Sequence, residues 1–193
     1  MPGCSNCTGN KCKDNNCTRK QSGGLKKTFY LANRCEVESY DKDPITGVIT
    51  GINFIAGGGW YKVTTIKDTS SAVEDLVAGV LTYNQTVTLT ITNFSNNADN
   101  AVAWMEAKQF TENWVNAEDG IILLAELRSP ALPTATYVLY GQEAGLEITA
   151  AQKTTGVVIG DQAATTLTFT AGEGQMASTV DAAYVATLPV LCY

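Results

Sequence analysis

Between Thr86 and Phe94 the chain reads TVTLTITNF, with Val87, Leu89 and Ile91 alternating with Thr88, Thr90 and Thr92. A period of two puts the aliphatic side chains on one face and the hydroxyls on the other, which predicts a half-buried antiparallel strand. The same alternation returns in TTLTFTAG, residues 165 to 172, where Leu167 and Phe169 sit between Thr166, Thr168 and Thr170. By contrast IILLAELR, from Ile121, is almost wholly apolar and predicts a strand covered on both sides. TYVLYGQ and LEITAAQ predict two more strands, separated by a turn at Gly145.

Nearer the start, LKKTFYLANRCEVESY, GVITGINFI and WYKVTTIKD predict three strands parted by DKDP and by Gly57-Gly58-Gly59. The triple glycine lacks a following G-K-[ST] and a helix start, so it reads as a hairpin connection and not as a phosphate loop. SAVEDLVAGVLTYNQ mixes a helical spacing of Val73, Leu76, Val77 and Val80 with the breaker Gly79, and is read as a large loop. Asn97-Ala98-Asp99-Asn100 offers N-caps ahead of AVAWMEAKQF, predicting the main helix over about 98–110. Trp104 and Trp114 fit core or subunit-contact positions of that helix. The expected fold class is α+β and mostly β: two packed antiparallel sheets, a barrel-like sandwich, with one flanking helix.

Composition sharpens this picture where it removes chemistry. The 193 residues include no histidine, so imidazole acid/base catalysis and imidazole metal ligation are excluded. No G-x-S-x-G turn is present, and the acidic pairs Glu36/Glu38, Glu74/Asp75 and Glu118/Asp119 read as a strand's solvent face and turn positions. A non-enzymatic protein is the expectation. The net charge of −6 is unevenly spread: residues 1 to 28 hold six basic side chains against Asp14, net +5, and the remainder holds seven against eighteen acids, net −11. An acidic body repels nucleic acid, and a basic arm has a ready partner in another copy of the same chain. The opening MPGCSNC lacks the charged and apolar regions of a signal peptide, and no apolar run reaches membrane-helix length, which predicts a soluble chain made in the cytosol and no membrane segment.

The division into domains follows: residues 1–24 form a cysteine-rich arm and 25–193 a β domain. In the arm Cys4, Cys7, Cys12 and Cys17 have the spacing C-x2-C-x4-C-x4-C, which can close a tetrahedral Zn²⁺ shell; disulfides and free thiols are the alternatives. The spacing resembles the retroviral zinc knuckle, C-x2-C-x4-H-x4-C, with Cys12 in the histidine position. The intervening Ser5, Asn6, Thr8, Asn10 and Lys11 include no aromatic side chain to stack on a base, which weakens a nucleic-acid role and leaves a structural clasp. Cys35 and Cys192 read as packed small apolar groups, the first within a strand.

From Gly23 to about residue 180 the order of signals resembles the tail-tube proteins of bacteriophages, which are similar to tube subunits of injection and secretion systems. The residues carrying it are GGLKKTFYLANRCEVES, TVTLTITNF followed by NADNAVAWMEA, and YVLYGQEAGLEITAAQKTTGVVIGDQAATTLTFTAGE. The resemblance is one of element order, without a diagnostic short motif. It implies hexameric rings whose inner sheets join into one barrel, stacked into a tube through which genomic DNA passes without sequence-specific binding. The implied partners are the chain itself and other tail proteins, and the implied location is the virion tail. Alternatives are another ring-forming or decorating virion protein, such as a tail terminator, collar or capsid decoration protein, and a zinc-knuckle nucleic-acid binder.

Overall fold

The computed structural model describes residues 24–66, 68–92, 120–128, 136–154 and 164–191. The arm with Cys4, Cys7, Cys12 and Cys17, the predicted helix over 98–110 with Trp104, the later Trp114, Glu118/Asp119, and Cys192 lie outside these residues.

Eleven strands are described: β1 (Leu25–Asn33), β2 (Val37–Lys42), β3 (Ile49–Phe54), β4 (Tyr61–Thr64), β5 (Ser71–Val77), β6 (Thr82–Thr92), β7 (Ile121–Leu127), β8 (Tyr137–Tyr140), β9 (Glu147–Thr154), β10 (Ala164–Glu173) and β11 (Ser178–Val180). A four-residue helix, α1 (Ala182–Val185), follows, its first turn capped by the Asp181 carboxylate accepting from the Ala183 amide at 3.0 Å. The strands make a seven-stranded sheet in the order β2-β3-β11-β8-β7-β1-β4 and a four-stranded sheet in the order β5-β6-β10-β9. Every pairing is antiparallel except β3 with β11. The two sheets pack face to face, and among the described residues they do not close into a barrel.

Burial follows the sequence pattern. Between the sheets, Phe29, Leu31, Leu123 and Ala125 of the larger sheet meet Val87, Leu89, Ile91, Leu167 and Phe169 of the smaller. On the other face of the larger sheet, Ala32, Ile122, Leu124 and Leu139 cluster with Ile49, Ile52, Trp60, Val180 and Val185. Consecutive β7 residues therefore serve two cores in turn, Leu123 the first and Leu124 the second, which is why that strand reads as continuously apolar. The chain after α1 helps seal the second core: Trp60 N donates to Pro189 O and Leu191 N to Trp60 O, at 3.1 and 2.8 Å.

Several expectations are corrected. The first predicted strand is two, β1 and β2, because a 3-10 turn over Arg34–Glu36 redirects the chain. Cys35 lies in that turn and is exposed, so it is not a packed strand residue. Residues 71 to 77, read as loop, are edge strand β5; the apparent helical spacing of Val73, Leu76 and Val77 marks side chains that are largely exposed. The triple glycine does not join a hairpin. Strand β3 pairs with β2 and β11, whereas β4 pairs with β1, so Gly57–Gly59 carries the chain between non-adjacent strands.

Candidate functional site

The predicted hydroxyl positions fall on one surface. β6 and β10 pair so that Thr86 faces Thr170, Thr88 faces Thr168 and Thr90 faces Thr166, and the Thr90 and Thr166 hydroxyls lie 3.3 Å apart. Since Val87, Leu89, Ile91, Leu167 and Phe169 point inward, these six threonines stand on the outer face of the four-stranded sheet. The side chain of Thr92 lies outside the described residues. By register, β5 adds Ser71, Val73, Asp75 and Val77 to this face, and β9 adds Glu147, Ala150 and Gln152 across a bulge opposite Thr168/Phe169. The face thus carries two acids among these residues and no Lys or Arg.

Both outer strands of this sheet are edges. Among the described residues β5 pairs only with β6 and β9 only with β10, leaving one row of backbone groups on each without a described strand partner. The two sheets are tied by Ile66 N donating to Thr90 O at 2.8 Å on one side, and by the 141–146 loop on the other.

That loop, Gly-Gln-Glu-Ala-Gly-Leu, is held by a buried polar latch that sequence reasoning missed. Gly141 adopts φ 72°, and a Cβ there would lie 2.6 Å from Ile121 O, so the position is closed to other residues. Its amide donates to Gln85 Oε1 at 2.9 Å; Gln85 Nε2 donates to Glu74 Oε1, which also accepts from Ala177 N at 2.7 Å. Beside it the Glu173 carboxylate, in a residue only 1% exposed, accepts from the amides of Glu143 and Ala144 at 2.8 and 3.1 Å. Burial pushes the Glu173 pKa up; the Glu143 and Ala144 amides pull it back, and the nearby Glu143 charge adds to the rise. Gln142 is fixed as well, its carbonyl accepting from Arg34 Nε at 2.9 Å and Tyr40 Oη at 3.2 Å. Burial raises the Tyr40 pKa to about 12 despite the Arg34 charge. The latch was legible in principle. Gln85 continues the inward series Val87, Leu89, Ile91, and Glu173 the series Leu167, Phe169, Ala171, so each is a polar residue at a core register position.

At the latch end, a cleft of about 410 Å³ is lined by Asn84, Thr86, Gly145, Glu147, Thr170 and Gly172, among others. Among the described residues Glu147 is its one titratable lining group, and they give the cleft no acid/base pair. The remaining predicted carboxylate pairs are also separated in role. Glu74 turns inward to the latch while Asp75 registers on the outer face; Glu36 is partly buried near Asn33, and Glu38 is exposed on β2. Among the described residues no group of three or more His, Cys, Asp or Glu side chains could hold a metal, and no helix is long and apolar enough to cross a membrane. Compared with protein-family models, curated proteins and solved structures, the chain shows no significant match to any of them.

Proposed function

We propose that the chain is a non-enzymatic structural virion protein, a bacteriophage tail-tube subunit, with the threonine face of the four-stranded sheet lining the lumen. The observation that carries this is a hydroxyl face without Lys or Arg at its registered positions, bounded by two strand edges that are unpaired among the described residues. Duplex DNA presents about one charge per 1.7 Å, and cationic side chains would hold it through counterion release. Threonine hydroxyls with Asp75 and Glu147 offer hydrogen bonds to water and no fixed positive charge, which suits a surface along which DNA slides.

The edges supply the assembly. β5 has seven residues and β9 eight, so β5 of one copy can pair with β9 of the next over nearly its full length, which removes both edges. In a six-membered ring, twenty-four strands at about 4.8 Å give a barrel roughly 37 Å across before strand tilt widens it, leaving an aqueous channel. The cysteine-rich arm supports the assembly in this reading: Cys4, Cys7, Cys12 and Cys17 bind one structural Zn²⁺ and shorten the segment that reaches a neighbour.

Negative-stain imaging of the purified full chain over a range of concentrations tests the ring, with annular particles and stacks of them expected. A strictly monomeric protein in every buffer would refute it. Elemental analysis should find about one zinc per chain. A value near zero with four titratable thiols would remove the metal. Salt-sensitive binding of single strands by the full chain, without annular particles, would favour the knuckle alternative.

A further inference from the structure

Two loops at the latch end of the sandwich hold each other by exchanging carboxylates. Glu173, the last residue of β10, accepts from the Glu143 and Ala144 amides, and Glu143 in return accepts from Gly174 N at 3.1 Å and from Gln175 Nε2 at 2.9 Å. Glu74 of β5 closes the far side, accepting from Ala177 N and from Gln85 Nε2, and Gln85 is tied in turn to Gly141 N. Ser178 Oγ adds a bond to Gln142 Oε1 at 2.7 Å. Residues 141–146 and 174–177 are thus joined crosswise, and neither loop can swing out without breaking contacts of the other.

The centre of this exchange is a poor place for a fixed charge. Glu173 is buried, whereas Glu143 is exposed. Facing Glu173 are Glu143 from the loop, Tyr83 opposite it on β6 and Tyr40 from β2; Glu74, which acts on Tyr140 of β8, lies on the β5 side. Arg34, 5.9 Å from the Tyr40 ring, is the cation beside them, and its Nε is engaged by Gln142 O. The described donors to the three carboxylates are amide N–H groups, which soften a negative charge without neutralising it. Burial pushes the Glu173 carboxyl up, the Glu143, Ala144 and Gly145 amides pull it back, and the Glu143 charge adds to the rise.

We infer that residues 141–146 and 174–177 form one proton-sensitive latch, in which the two loops open together as the pH rises. With the latch open, Glu173 meets water and becomes an ordinary carboxyl; closed, it holds its proton more tightly. Closure is favoured most below 4.5 and progressively less as the pH rises through the raised value. Both edge strands of the small sheet are tied to the latch, β5 through Glu74 and β9 through the loop that enters it at Glu147. Association of copies through those edges should therefore weaken as the latch opens. That consequence rests on the tube reading; the latch itself does not.

The test is hydrogen exchange of the full-length protein at single amides, below the concentration of assembly, expressed as protection relative to an unstructured peptide. From pH 4.5 to pH 8 the protection of the Glu143, Ala144, Gly174 and Ala177 amides should fall severalfold and in parallel, while that of Leu123 and Leu124 in β7 changes less. Glu173→Gln keeps an acceptor and removes the charge, so the fall should flatten at Gly174 and Ala177 as well as at the amides it touches. Should that variant fail to fold, the carboxyl carbon resonance of Glu173 in the parent carries the test, with a midpoint above that of an ordinary glutamate expected. A parent with flat protection, two loops with different pH dependences, a Glu173→Gln profile like the parent's, or a Glu173 midpoint at or below the ordinary value overturns the latch. Sedimentation velocity over the same range separates the two readings. Annular particles with a flat latch leave the tube standing and remove the switch, and a pH-linked latch in a protein that never forms annular particles does the reverse.

Discussion

The two sheets put their strands to different ends. β7 in the larger sheet sends Ile121, Leu123 and Ala125 to one core and Ile122 and Leu124 to another, so the sheet has no naked face along that strand. β6 and β10 in the smaller sheet bury one side and give the other to threonine. A sheet covered on both faces serves the fold. Among the described residues the smaller sheet has a polar outer face and two unpaired edges, and the difference is visible in whether consecutive residues or alternate residues are apolar.

That contrast predicts a mutational pattern. Phe169 is fully buried between the sheets, and Phe169→Ala should cost about 3–5 kcal/mol by urea denaturation, the largest single effect in the small sheet. In β7 the neighbours Leu123 and Leu124 are both fully buried, so Leu123→Ala and Leu124→Ala should each cost about 2–5 kcal/mol. Equal sensitivity at consecutive positions is what a doubly covered strand demands. If Leu124→Ala were nearly neutral while Leu123→Ala was severe, the second core would not contribute to stability and the comparison would fail.

Alternation made β6 and β10 legible, and a solid apolar run made β7 legible, because each pattern reports directly how many faces are buried. The first predicted strand misled because Asn33 and Glu36 look like ordinary strand residues; the 3-10 turn between β1 and β2 is set by contacts distant in sequence, including Arg34 N donating to Gly120 O. β5 was missed for a related reason. As an edge strand it buries little, leaving Val73 half exposed, so its apolar residues carry no clear period. The hydroxyl face could be named from sequence, but that both threonine sets share one surface depends on β6 pairing with β10 across more than seventy residues.

The latch joins the two sheets and should respond at an intermediate level. Glu173→Ala would leave the Glu143 and Ala144 amides without their charged acceptor, at about 1–3 kcal/mol. Hydrogen exchange should speed up at those two amides while the β7 amides stay protected. Its pH dependence has a definite sign. The folded pKa of Glu173 is raised above 4.5 by burial, so the folded state holds the proton more tightly than the unfolded chain. The stability this group contributes is full below 4.5 and is lost as pH rises through the raised value. Replacement by Gln should flatten that part of the profile; an unchanged profile would mean that the carboxylate does not feel its burial.

The smallest effect separates surface from core most sharply. Thr168 is one residue from Phe169, yet it stands on the opposite face, paired with Thr88. Thr168→Ala removes a hydroxyl and a methyl group from a partly exposed position and should change stability by no more than about 0.5 kcal/mol. The pair Thr88→Lys with Thr168→Lys should also leave the monomer folded, though two like charges placed directly opposite will cost it a few tenths to about 1 kcal/mol. Its consequence belongs to the assembled state: a cationic patch on the proposed lumen face should make the protein retain duplex DNA at low salt and release it as salt rises. Thr→Lys variants that assemble normally but show no gain in DNA retention would place the hydroxyl face away from the channel, and the bare side of the small sheet would then need a different partner.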